Sequence, residues 1–533
     1  SGVAIPSATS RAPQAPPAPP RPRLPASPGC RRGSGAGCLT FEDLDDLHPH
    51  LMYGALLSSL TGLYNSVLDV AVTLLSWRLM SGVVAVLVLV QLVLPMVALA
   101  QAAMAAMLAG EIVFFVWLRY VKRELQRVKA LEDRLRPPDG PLRTFQRSVA
   151  DIEVCAAWRD GHGVASRSPE KWVEGWFRGQ RLDGIMSENM REFFAWAFYT
   201  KRVSELQEPE MRETEAMLRE FQGRFGLAFE QGYNPHVRPI LLNFDSLKIW
   251  GHPLCYYLWI GSLRLACRQS MRLLGYQYFA GTGPGGLSFF HYRPPPAPGV
   301  LLVDGAPHRP EPLLPLVLIH GLGVGLAVYL RFIRRLTNGA REVFVIELPE
   351  VSQSCTRLVL APDAMAEAIA RMLRDFGHER AVFVAHSYGT FVLSWVIRAA
   401  RRVVAKAVML DPVSLLLSQP DVAFNFLYRK PTNAFSIVVA NFVRGELFSA
   451  NVLMRHFYWY HNVLWGDELP AQCLIALSGQ DDITNAHFVR QYVEERSRRA
   501  DRPKDHRLKL LWYDSFFHGE ILVSKPAQLQ IMA

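Results

Sequence analysis

Cysteine is scarce and unpatterned in this chain of 533 residues. The seven cysteines (Cys30, Cys38, Cys155, Cys255, Cys267, Cys355 and Cys473) are scattered, odd in number and without a C-x-x-C pair. They indicate neither a zinc site nor a disulfide framework, and their usage fits a reducing compartment. No Asn-x-Ser/Thr acceptor occurs, which agrees. A concentrated basic tract is also missing. The net charge is +10, but the cations are spread out and several flank apolar segments. That distribution suits an anionic membrane surface and argues against nucleic acid. Residues 1–38 contain no Asp or Glu and are rich in Pro, Ala, Ser, Gly and Arg. Residues 1–40 therefore cannot bury a core and read as a disordered tail. Organelle targeting is the alternative, opposed by the proline load.

What the chain has in abundance is hydrophobic sequence, half of all residues. Residues 41–124 read as membrane-anchoring helices. The run from Ser81 to Leu118 is close to twice the ~20 apolar residues that a helical span needs. Two spans, roughly 80–100 and 102–120, fit it, as does one span plus a surface-lying helix. Acids precede this segment (Glu42, Asp43, Asp45, Asp46) and cations follow it (Arg119, Lys122, Arg123, Arg127, Lys129). The charge bias sets the large C-terminal part on the cytosolic side.

Residues 125–285 read as a helical extension, with helical periodicity at Met190–Arg202 and Glu210–Phe225. His162 reads as a loop residue. The glycine-rich Gly281–Gly286 precedes a strand and contains a proline, so it reads as a turn and not a phosphate loop. From about 286 onward, apolar runs alternate with amphipathic helices, the signature of an α/β domain with a mostly parallel sheet. Eight strands are expected, at Leu287–Tyr292, Val300–Val303, Leu316–Ile319, Val343–Ile346, Val382–Ala385, Ala405–Leu410, Leu474–Leu477 and Leu508–Trp512.

Three stretches of this domain carry chemistry. Ala385-His-Ser-Tyr-Gly389 joins a strand to a helix as small-x-Ser-x-Gly, the pattern of a turn that lifts Ser387 clear of the sheet. A strand ending in His320-Gly321-Leu322-Gly323 can aim backbone amides at one point. The N–H groups of Leu322 and Tyr388 are the candidate oxyanion donors. His320 reads as a structural residue of that loop. Ser387 needs a base, and His518 follows the last strand where one belongs. The acid is expected just past a strand end. Asp482 is favoured, Asp481 is its close rival, and Asp411 is a third option that reads more simply as a turn residue before Pro412.

These motifs, in this order, resemble the α/β-hydrolase fold superfamily, in its serine esterase/lipase branch, over residues 286–533. The resemblance implies an α/β-hydrolase fold with Ser387 as nucleophile, His518 as base and Asp482 as acid. It also implies hydrolysis through an acyl-enzyme, without metal or organic cofactor. Residues 413–470 occupy the usual place of a lid. They carry Phe424, Phe426, Leu427, Tyr428, Phe435, Phe442, Phe448, Phe457, Tyr458, Trp459, Tyr460 and Trp465. Aromatic density there favours an acyl chain, at ~0.8 kcal/mol per buried methylene. The expectation is a membrane-anchored serine hydrolase acting on a lipid ester. The alternatives are an acyltransferase using the same site and a catalytically silent scaffold at a membrane.

Overall fold

The computed structural model describes residues 49–93, 98–127, 136–158, 167–281, 284–295, 301–303, 306–308, 313–337, 341–432, 434–498 and 507–532. The tail and His162 lie outside the described residues. The chain divides into two compact units, Ser1–Gln101 and Ala102–Ala533.

The first unit contains one long helix, Pro49–Val93. Its stretch Thr61–Leu87 is long and apolar enough to cross a membrane, and none of it is buried. Leu63, Val67, Leu74 and Trp77 are all exposed on it, so it has no single core-facing stripe. Among the described residues Ala103–Gln126 is a second helix with that property. The first apolar stretch therefore begins earlier than the 80–100 expected from sequence, because Asn65 and Asp69 interrupt an otherwise apolar run without breaking the helix.

The second unit is built on an eight-stranded sheet. Its strands are β1 (Gln277–Phe279), β2 (Ser288–Tyr292), β3 (Leu316–Ile319), β4 (Val343–Glu347), β5 (Ala381–His386), β6 (Val404–Leu410), β7 (Gln472–Ser478) and β8 (Arg507–Tyr513). The spatial order is β1-β2-β4-β3-β5-β6-β7-β8. Only β2 runs against the rest, pairing antiparallel with both β1 and β4. β3, β4 and β5 are buried at every position, which explains their unbroken apolar runs.

Alternate residues face two separate cores, as the two-residue repeat of a strand requires. Val317, Ile319, Phe383 and Ala385 pack with helices Pro362–Asp375 and Gly389–Ala399. Leu316, Leu318, Val345 and Val384 pack with helices Leu254–Leu273 and Leu330–Leu336.

One expected strand is misplaced. Leu301–Val303 pairs with Ala306–His308 in a two-stranded ribbon outside the main sheet. Its place is taken by β1, inside the stretch that reads as helical. β1 has three residues, too few to show a two-residue period.

The helical region and the sheet share one core. Phe145, Trp172, Trp196 and Phe221 belong to the same buried cluster as Phe383, Phe391 and Trp459. Indole N–H groups tie the layers together: Trp172 donates to the Ser418 carbonyl at 3.0 Å and Trp459 to the Ala197 carbonyl at 2.7 Å. In the segment 413–470, Phe448, Phe457, Trp459, Tyr460 and Trp465 are buried in this body.

Candidate active site

The parallel register aligns the strand ends. Ile319 lies opposite Ala385, Ala385 opposite Met409, and Leu410 opposite Ala476. The residues that follow β3, β5, β6 and β7 therefore emerge along one edge, where ligands of open α/β sheets bind.

Ser387 sits between β5 and helix Gly389–Ala399 with φ of +51°, a left-handed conformation that costs a non-glycine residue energy. Gly389 makes the turn possible. A Cβ there would stand 2.4 Å from the Ile319 carbonyl oxygen and 2.8 Å from that of His320. Thr390 secures the turn, its Oγ1 donating to the Ser387 carbonyl at 2.7 Å and accepting from the Val413 amide at 3.2 Å.

The Ser387 hydroxyl lies 2.8 Å from His518 Nε2. On the other side of the ring, Nδ1 lies 2.7 Å from Asp481 Oδ2. Asp481 Oδ1 accepts from the Ile483 and Thr484 amides at 2.8 and 3.0 Å, which fixes the carboxylate. Asp481, and not the favoured Asp482, is thus the carboxylate on the imidazole. Asp482 turns outward, with its carboxylate 3.8 Å from Arg429 and its side chain 38% exposed. Adjacent residues in a turn point different ways: the Asp481 N–H donates to the Ser478 carbonyl at 3.2 Å, and the Ile483 and Thr484 amides hold its carboxylate toward His518.

Asp411 is no simple turn residue. It is buried, has φ of +43°, and accepts from the Ser478 amide (2.9 Å), the Ser478 hydroxyl (3.1 Å) and the Gly519 amide (2.8 Å). It therefore holds the backbone next to His518. Burial pushes its carboxyl up to about 6, with the Asp481 charge adding to the effect and His518 opposing it. Burial alone would lower His518. The Asp481 carboxylate, helped by Asp411 and Asp482, outweighs this and raises the imidazole to about 9.

The loop after β3 packs directly on the serine. A Cβ at Gly321 would lie 2.9 Å from Ser387 Cβ. The Gly321 amide donates to the Tyr329 hydroxyl at 2.7 Å and the Gly323 amide to the Val351 carbonyl at 3.0 Å. Among the described residues, the Leu322 and Tyr388 amides donate to no backbone carbonyl. His320 is buried. It accepts from the Leu348 amide at Nε2 (3.0 Å), with Nδ1 2.7 Å from the Gly321 carbonyl, and burial lowers it to about 4.

Two groups here are missed by sequence reasoning. Tyr329 and His386 form a buried chain, with the Tyr329 hydroxyl 2.6 Å from His386 Nδ1. His386 occupies a variable position of the elbow pattern, so no sequence signal marks it. Asp411, Asp481 and His518 bring ligand-type atoms within 4.8 Å of one another. Hydrogen bonds already engage these groups, so the cluster is better understood as the support of the imidazole.

Residues 316–511 match the family model described as alpha/beta hydrolase family. No curated protein matches the chain. Solved structures similar to it include a membrane phospholipase A described as a bacterial virulence factor, at 15% identity over 52% of this chain and 91% of that one, TM-score 0.35. Naproxen esterase from Bacillus subtilis gives 14% over 51% and 95%, TM-score 0.32. A thermophilic esterase from Thermogutta terrifontis gives 14% over 48% and 96%, TM-score 0.33. The family match falls on β3 to β8 and includes Ser387, Asp411 and Asp481, and this part of the chain has the α/β-hydrolase fold.

Proposed function

We propose that this protein is a membrane-anchored serine hydrolase that cleaves carboxylic esters of lipids through an acyl-enzyme on Ser387, His518 and Asp481. The reading rests chiefly on the continuous chain of contacts from the Ser387 hydroxyl through the imidazole to the Asp481 carboxylate, 2.8 and 2.7 Å. In this scheme the Ser387 proton passes to His518 Nε2 as Oγ bonds to the ester carbonyl carbon. The Leu322 and Tyr388 amides stabilise the resulting oxyanion. The C–O bond to the alcohol then breaks, and His518 returns the proton to the leaving oxygen. Water, deprotonated by the same nitrogen, attacks the acyl-enzyme and releases the carboxylic acid. Asp481 holds the ring orientation and stabilises its cationic form.

The lipid and membrane parts of the proposal rest on the two helices long and apolar enough to cross a bilayer. The test is labelling by a fluorophosphonate probe together with turnover of a soluble ester. Ser387→Ala should abolish labelling and lower kcat by ~10⁴–10⁶. Labelling that persists in this variant removes Ser387 from the nucleophile role.

A further inference from the structure

Glu111 is the acid in the middle of helix Ala103–Gln126. Its neighbours Ile112, Val113, Phe115 and Val116 are 55–69% exposed apolar side chains. Within hydrocarbon a carboxylate is costly unless donors reach it. Two do: the amides of Leu254 and Cys255, at 2.7 and 3.0 Å. These belong to the first turn of helix Leu254–Leu273, whose opening amides have no partner within their own helix. The pair is mutual, because the unpartnered amides of a helix start are also costly in lipid.

The contact fixes depth. Glu111 stands eight residues before Arg119, the first cation of its helix, which places it ~12 Å below the charged boundary at 1.5 Å per residue. The start of helix Leu254–Leu273 lies at the same level. Phe114, Trp117, Leu118 and Val121 pack with Tyr257 and Phe448 and hold the two helices together. On the outer side of helix Leu254–Leu273, Leu258, Trp259 and Leu265 are 58–60% exposed; the exposed residues nearer its C-terminal end are mixed, Gln269 and Arg272 beside Leu273.

Resting on the membrane-anchored reading above, we propose that helix Leu254–Leu273 is embedded in one leaflet of the bilayer, its start deep beside Glu111 and its end at the head groups. The occupant of the apolar stripe is lipid acyl chain. This helix is joined to the spanning helix at Glu111 and at the Phe114–Tyr257 ring contact, so in this proposal the lipid that covers Val113 and Val116 also covers Leu258 and Trp259. The embedded helix also reaches the site. The Tyr256 hydroxyl donates to Gln353 Oε1 at 2.6 Å and Arg264 to the Ser354 hydroxyl at 3.0 Å. Gln353 and Ser354 continue the segment whose Val351 carbonyl accepts from Gly323. An ester lying in that leaflet is thereby adjacent to the machinery that holds the oxyanion loop.

The test uses the full chain in phosphatidylcholine vesicles with radiolabelled acyl chains. Photoreactive benzoylphenylalanine replaces Leu258, Leu265, Val113 or Arg371 in turn. Arg371 lies on helix Pro362–Asp375, packed on the opposite face of the sheet. Lipid adducts at 113, 258 and 265, but not at 371, support the proposal. Adducts at 113 alone overturn it and leave the membrane anchor standing. Cross-linked dimers at 258 and 265 in place of lipid adducts overturn it in favour of a second copy on that face. No adducts at any position remove the anchor and the proposal together. Glu111→Leu should lower adducts at 258 at least about threefold without changing those at 113; equal adducts in this variant remove Glu111 as the depth setter.

Discussion

The elbow around Ser387 and the turn around Asp481 belong to the same site, yet one is legible from sequence and the other is not. At the elbow the constraint is local. A strand, a left-handed serine and a glycine at which an added Cβ would stand 2.4 Å from a neighbouring carbonyl oxygen leave few residue choices, and those choices are visible in the chain. At the acid turn, Asp481 and Asp482 satisfy the same local pattern. Selection is made by His518, 37 residues away, and by the Ile483 and Thr484 amides that tie one carboxylate inward.

The comparison breaks most sharply at the acids. Asp481→Asn is expected to lower kcat by ~10⁴, as loss of the orienting carboxylate does in such triads. Asp482→Asn should change kcat less than about threefold, because an exposed carboxylate near one cation contributes little. A large loss in Asp482→Asn with little change in Asp481→Asn would return the assignment to Asp482. At the elbow, Gly389→Ala should cost ~1–3 kcal/mol of stability, read by chemical denaturation, since the added carbon must displace strand backbone. An unchanged midpoint would show that the turn is not confined by β3.

The smallest effect concerns protons. With His518 raised to about 9, kcat/KM should climb through neutrality and level off only near that pH, where the imidazole becomes free to act as a base. Asp411→Asn removes one of the charges that raise it, so the rising limb should move to lower pH. The sign for stability is opposite. A histidine raised in the folded state contributes stabilisation below its ordinary value of ~6.5, and this is lost as pH rises through about 9. A profile already flat at pH 7 would mean that the carboxylates do not hold the proton on the ring.

Other elements divide in the same way. β3, β4 and β5 are evident as continuous apolar runs because both faces are buried. β1 is hidden because its membership depends on three register pairs with β2 and not on any period of its own. Asp411 shows the same limit, since before Pro412 it has the look of a turn, and only the arrival of Gly519 and Ser478 turns it into a buried acceptor. The aromatic residues at 413–470 announce burial but not against what. Trp459 finds its partner at Ala197, in a part of the chain with no chemical motif.

By itself the amino-acid order determined the class of fold, the serine and its glycine, the histidine, and the presence of apolar helices, because each follows from the size, polarity or spacing of near neighbours. Tertiary structure alone decided which aspartate meets the imidazole, that Asp411 supports it, and that Glu111 finds its donors at residues 254 and 255. Those are choices among chemically equivalent groups, settled by direction and distance between segments that the chain keeps far apart.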